Sequence, residues 1–216
     1  MFTLFGRFLM YRTAFTMLEL IFALVVVAIL ALLALPRFER DLRQEARTNI
    51  ITALRYTQHL ALIDDKLDIS DSNWQRKLWK ISFVTSTQSN RAFFYTISSD
   101  RNNNGHISKD ESAIDPTNGK YIYNNNGDTT IHSDESPTIF IGKQFGINSI
   151  TFAGGCTAQH IAFDQMGRPH SSITTATDDY SSYMRADCHI TFGFATASIE
   201  PLVVTIAQET GSISAN

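Results

Sequence analysis

Every residue from Leu20 to Leu35 is apolar, and Pro36 closes the run. Counted from Phe15, a helix over this stretch is roughly 30 Å long, about the hydrocarbon thickness of a bilayer. The pattern predicts a transmembrane helix over 15–36, bent at Pro36, which lacks a backbone donor and crowds the preceding turn. The period then changes. Phe38, Leu42, Ala46, Ile50, Ala53, Leu54, Thr57, Leu60 and Ala61 fall on one face at helical spacing, with Glu39, Arg40, Arg43, Gln44, Arg47 and Gln58 largely on the other. An amphipathic half is therefore expected to continue to about Leu62. Beyond Asp71 the text turns to strands. In Leu78–Thr85, Trp79, Ile81 and Phe83 are opposed to Lys80, Ser82 and Val84, and Ala92–Ile97 comes after a polar turn. Further strands are expected at Thr138–Ile141, Gly146–Phe152, Gln159–Phe163, Cys188–Phe194, Leu202–Ala207 and Ser212–Ser214, punctuated by Gly154-Gly155, Met166–Pro169 and Thr210-Gly211. The predicted class is α+β: a long N-terminal helix, with a transmembrane and an amphipathic half, packed on an antiparallel β-sheet.

One carboxylate, Glu19, stands at the edge of the apolar run. In a membrane an uncompensated carboxylate costs roughly 2.5 kcal/mol or more, so a partner is expected. Cleavage after Ala14 would supply one, the new α-amino group of Phe15. The leader Met1–Ala14 carries Arg7 and Arg12, and is followed by Phe15-Thr16-Met17-Leu18-Glu19-Leu20. This pattern resembles the type IV prepilins: pilins, minor pilins and the pseudopilins of type II secretion. The resemblance implies a cleaved leader over 1–14, an N-methylated Phe15, Glu19 as the residue that docks each subunit, and Pro36 as the helix-bending proline. Ala14 departs from the family, in which Gly is usual. It also implies prepilin peptidase and other pilin or pseudopilin subunits as partners. The implied location is the bacterial inner membrane, single-pass, with the C-terminal domain in the periplasm and later in a filament. An ordinary signal peptide cut near Ala31, Ala34 or Leu35 is the alternative, and it leaves Glu19 unexplained.

The segment Ile161–Arg168, containing Phe163-Asp164-Gln165-Met166-Gly167-Arg168, looks like the F-D-x-x-G-R strand-turn of the GspH/FimT family of pseudopilins and minor pilins. Phe145–Phe152 and Val203–Gly211 look similar too. The domain over 37–216 would then be an exported pilin-like domain with an Asn/Asp-rich insertion at 100–135.

The 216 residues leave room for one modest domain beyond the stem. Losing Arg7 and Arg12 with the leader takes the formal charge from −3 to −5, which argues against a broad nucleic-acid surface. Arginines before the apolar run favour export of the C-terminal domain. Cys156 and Cys188 would then meet an oxidising compartment and could pair, the alternative being two buried thiols.

The chemistry-bearing motif is Asp100-Arg-Asn102-Asn-Asn104-Gly105-His106-Ile107-Ser108-Lys-Asp110-Glu111. It matches the calcium loop of an EF-hand. Side-chain oxygens stand at positions one, three, five and nine, glycine at six, the His106 carbonyl at seven and Glu111 at twelve. Alternate residues of a tight turn aim their oxygens at one point, as a hard cation requires. A poorer second copy comprises Asn124, Asn126, Asp128, Thr130, His132 and Glu135, lacking the first carboxylate and the glycine. Calcium is the cofactor expected, more in the first loop than in the second. The alternative is a pair of Asn/Asp/Gly-rich turns kept for backbone reasons.

No G-x-S-x-G, H-E-x-x-H or C-x-x-C occurs, and the six histidines have no zinc spacing. The chain reads as non-enzymatic: a structural subunit, minor pilin or pseudopilin, of a type IV pilus or a type II secretion-like filament. Two other readings stand beside it. One is a DNA-binding minor pilin for natural transformation, although Glu209–Asn216 has no Arg or Lys, leaving Arg168 and Arg185 as isolated candidates. The other is a membrane-anchored calcium-dependent adhesin.

Overall fold

The computed structural model describes residues 16–85, 89–124, 131–156, 159–176 and 180–216, with the backbone alone for 32–41. Ala14, Phe15, Asn126, Asp128 and Thr130 lie outside these residues, as does the side chain of Pro36. The chain divides into two units, Met1–Glu39 and Arg40–Asn216.

Helix α1 covers Met17–Ile63 and enters both units. It starts at Thr16, whose Oγ1 accepts the backbone N–H of Glu19 at 3.3 Å, an N-cap contact. From Met17 to Ala31 every side chain is exposed. The expected transmembrane helix is corrected at this point. Among the described residues no helix is long and apolar enough to cross a membrane.

In the second unit α1 shows the expected stripe: Ala46, Ile50, Leu54, Thr57 and Ala61 are buried. Its polar side chains clamp the chain's last residues. The Arg43 guanidinium donates to the carbonyls of Glu200 and Pro201 and to Asn216, and Arg47 and Arg55 donate to the carbonyls of Ala215 and Ile213.

The strands divide between two sheets, where one was expected. The first has the order β2-β1-β4-β5, from β1 (Trp79–Thr85), β2 (Phe93–Ser98), β4 (His160–Phe163) and β5 (Pro169–His170). The second has the order β3-β6-β7-β8, from β3 (Ile147–Gly154), β6 (Cys188–Phe194), β7 (Leu202–Ile206) and β8 (Ile213–Ala215). All pairings are antiparallel. The composition is thus α+β with two antiparallel sheets. Phe83 of β1 meets Phe192 of β6 edge to face at 5.3 Å, so both sheets share one core with Ile50 and Leu54 of α1.

The strand expected at Thr138–Ile141 is absent. Pro137 opens a 3-10 turn over Pro137–Ile139, with Ser136 Oγ accepting the N–H of Thr138. Helix α2 (Ile141–Phe145) comes next and ends at Gly146, whose φ of 70° suits a residue without Cβ. Proline has no N–H for a ladder and a φ suited to a first helical turn, so local chemistry overrides the apolar run.

Candidate functional site

The first loop leaves the end of β2 and returns to it. Ser99 N–H donates to the Glu111 carbonyl at 3.0 Å, and Ser98 bridges Ser112. Within the loop the oxygens turn inward. Asp100 accepts from the N–H groups of Asn104 and Gly105 at 3.2 and 2.9 Å. Asn102 Oδ1 accepts from Asn104 N–H, and Asn104 Oδ1 from His106 N–H. Glu111 accepts from the N–H groups of Asn102 and Ser108 and from the Ser108 hydroxyl. Gly105, at φ 78°, makes the sharp turn at the sixth position. Asp100 and Glu111 are both buried. Burial pushes the Glu111 carboxyl up, but the donors from Ser108, Asn102 and Arg101 outweigh it and hold the group below its ordinary value. The side chains of Asp100, Asn102, Asn104 and Glu111 thus accept the loop's own N–H groups, an arrangement common to a cation loop and to an Asn/Asp-rich turn. Its charge comes from two carboxylates. Among the described residues no three His, Cys, Asp or Glu side chains converge as a metal-holding group.

The second loop is described only at its two ends. Asn124 Nδ2 and His132 N–H both donate to Glu135 Oε2 at 3.3 Å, joining the loop's first and twelfth positions. Among the described residues Asn124 Oδ1 and Glu135 Oε1 are buried without a hydrogen bond, although Lys109 Nζ stands 3.8 Å from the latter. Lys109 ties the two loops together by pairing with Asp134 at 2.9 Å. The unmet oxygens therefore sit in the loop whose motif is the poorer.

Between the loops lies a residue that sequence reasoning leaves unassigned. Asp115 accepts from the Ser136, Thr138 and Thr117 hydroxyls, the Asn118 amide and Thr117 N–H. Burial acts to raise its pKa, and these hydrogen bonds hold it below the ordinary value. The Asp-x-Thr-Asn pattern at 115–118 is a visible turn signal.

The F-D-x-x-G-R segment forms a second polar constellation. Asp164, fully buried, accepts from the N–H groups of Met166 and Arg168 on Oδ1, and from Arg168 Nε and the Tyr183 hydroxyl on Oδ2. His170 Nε2 lies 3.5 Å from Oδ2. Ser182 donates to Gln75, so it accepts from His170 Nδ1 at 2.8 Å. The Arg168 guanidinium also stacks over the Tyr183 ring at 4.6 Å. Gln58 of α1 reaches this turn, donating to the carbonyls of Gly167 and Gly211 at 2.9 and 3.2 Å. A Cβ on Gly211 would stand 2.1 Å from the Gly167 carbonyl oxygen, which accounts for glycine there. Arg168 is thus committed within the fold.

Cys156 and Cys188 form a disulfide with Cα atoms 5.1 Å apart. Glu19 lies in the first turn of α1, three residues after its N-cap. Comparison with protein-family models, with curated proteins and with solved structures finds no match.

Proposed function

We propose that the chain is a structural filament subunit, a minor pilin or pseudopilin of the GspH/FimT kind, assembled through its N-terminal helix. The observation that carries this reading is the exposed apolar surface of α1. Leu18, Leu20, Ile21, Phe22, Leu24 and Val27 are all more than half exposed. Isolated subunits rarely show so large an apolar surface to water, and matching helices of neighbouring subunits would cover it. The leader and Glu19 support the same reading. So does the disulfide, which belongs to an oxidising compartment.

Glu19 has a local role available, since a carboxylate in the first turn suits the helix dipole and the Thr16 cap. Two substitutions separate that role from charge pairing with a neighbour's Phe15 amine. Glutamine can replace glutamate in a capping box, but it carries no charge. Both Glu19→Gln and Glu19→Val should accumulate as folded protein and be missing from filaments. Normal incorporation of the Gln variant would leave Glu19 a local cap and remove the docking argument.

The calcium loops would order the 100–135 insertion. Two carboxylates outside a paired-helix frame imply weak affinity, roughly 10⁻⁴ M, like extracellular modules. At a hundredfold excess the linkage stabilisation is about 2.7 kcal/mol. Thermal unfolding with calcium and with chelator should show that shift. Glu111→Gln should abolish it and Glu135→Gln should reduce it less. An unchanged melting temperature at millimolar calcium would reduce both loops to Asn-rich turns.

A further inference from the structure

The outer face of the first sheet is covered, and the cover leaves a cleft. Ser82 pairs with Thr96 on one side and His160 on the other, and Lys80 pairs with Ser98 and Ala162. These residues share the face opposite Ile81 and Phe83. Gly105–Ile107 of the first loop, Tyr123, Asn124 and Thr174 stand over that face. The space enclosed is about 340 Å³, at the small end of ligand-site volumes. A chamber of about 170 Å³ shares Lys80, Gly105 and Thr174 with it and adds Arg76 and Asp100.

Two polar side chains in the wall are largely withdrawn from solvent. Asn124 is 3 % exposed, and among the described residues its Oδ1 has no hydrogen-bond partner. Lys80 is 7 % exposed, and among the described residues its ammonium makes no hydrogen bond or ion pair. Burial lowers its pKa, while the more distant Asp100 and Glu111 favour the charged form. The remaining wall mixes the apolar Val84 and Ile107 with residues that carry hydrogen-bonding groups: Ser82, Thr96, Thr174, Tyr123 and His160. Burial, then Lys80, brings the His160 pKa down to about 4, so the ring is neutral at pH 7. Its Nε2 accepts the Ile173 N–H at 3.2 Å, which puts the ring proton on Nδ1 as a donor.

We infer that this cleft binds a small polyhydroxylated carboxylate, the chemical class of a sugar acid, with its carboxylate on Lys80 and its hydroxyls on the Ser82–Thr96 row and Asn124. The cation selects the carboxylate, and the neutral donors and acceptors select the polyol. This does not rest on filament assembly, and holding calcium constant separates it from the loop reading.

The test is calorimetric titration of the full chain, in mild detergent at fixed calcium, with glucuronate, glucose and acetate. Glucuronate should bind saturably, with glucose and acetate each at least about tenfold weaker, since one charged hydrogen bond or a set of neutral ones is then missing. Lys80→Met keeps the stem's packing and should weaken glucuronate at least about tenfold without lowering the melting temperature. Ser82→Ala, at the less buried rim, should weaken glucuronate several-fold and leave acetate unchanged. No saturable binding of glucuronate would overturn the inference, as would equal affinity in Lys80→Met or Ser82→Ala. Acetate binding as tightly as glucuronate would leave a plain anion site and overturn it too.

Discussion

Replacing Asp164 by alanine should destabilise the domain by about 3–5 kcal/mol, the range for removing one partner of a buried charge network. The size reflects the groups left unpaired. Arg168 loses its bidentate contact to Oδ2, Tyr183 loses its acceptor, and the N–H groups of Met166 and Arg168 lose the carboxylate that shapes their turn. Gly167, held in that turn, also receives Gln58 of α1, so the damage reaches the contact between helix and sheet. For a domain of this size each kcal/mol corresponds to about 2–4 °C, so the melting temperature should fall on the order of 10 °C. The same network sets an acid limb. Burial alone would raise the Asp164 pKa. His170, Arg168 N–H and the Arg168 guanidinium outweigh burial and hold it well below the usual carboxylate range. A depressed carboxylate contributes stability that is whole above its unfolded value, about 3.9, and is lost as pH falls toward its folded one. Stability should therefore drop below about pH 4, and that drop should shrink in Asp164→Asn. Urea unfolding at pH 7 and pH 3 measures both effects. A loss under about 1 kcal/mol for Asp164→Ala would show the network to be dispensable, at the level of an ordinary surface pair.

Much of the domain is legible in the residues. Ile81 and Phe83 alternate with Lys80 and Ser82, and Ile190, Phe192 and Phe194 alternate with His189, Thr191 and Gly193, because each sheet turns one face to the shared core. The stripe from Ala46 to Ala61 is legible for the same reason at helical period. What escapes is set by contacts between distant segments. Alternation turns Lys80 away from the core, but it does not show that Gly105–Ile107, Tyr123 and Asn124 stand over that face. Assignment of strands to two sheets is invisible to a local period; it depends on Phe83 meeting Phe192 across the sequence. The apolar residues at Thr138–Ile141 read as a strand because Pro137, just outside the run, decides the geometry. The turn of the first loop is legible, since its Asp and Asn oxygens bind their own backbone. The Asn124–Glu135 contact is less so, because its unmet oxygens are a property of burial. At the N-terminus hydropathy predicts a membrane span, and among the described residues no helix is long and apolar enough to cross a membrane.

Removing the Cys156–Cys188 bridge should cost about 3–4 kcal/mol, from the chain entropy of a loop of this length. The sequence separation is 32, and the closed loop contains β4, β5 and the whole Asp164–Tyr183 network. The bridge also holds an unusually close approach of two backbones. Cys188 opens β6 opposite Gly154, and Gly155 N–H donates to the Asp187 carbonyl at 3.0 Å. A Cβ on Gly154 or Gly155 would stand 2.1 or 2.2 Å from a carbonyl oxygen of Asp187 or Ala186, so both positions require glycine. The sulfurs are buried, and Cys188 lies in the common core with Ile190 and Phe192. Replacing both cysteines by alanine removes the tether with little new polar surface, and isolates the entropic part. Replacing Cys188 alone by serine adds a buried hydroxyl and leaves a free thiol on Cys156, so it should cost more than the double change. Denaturant unfolding of the two variants, compared with the oxidised and the reduced parent, distinguishes these contributions. The reduced parent should match the double alanine variant to within about 1 kcal/mol. If reduction leaves the unfolding midpoint where it was, the bridge only decorates an approach that the glycines and the β3–β6 ladder already secure.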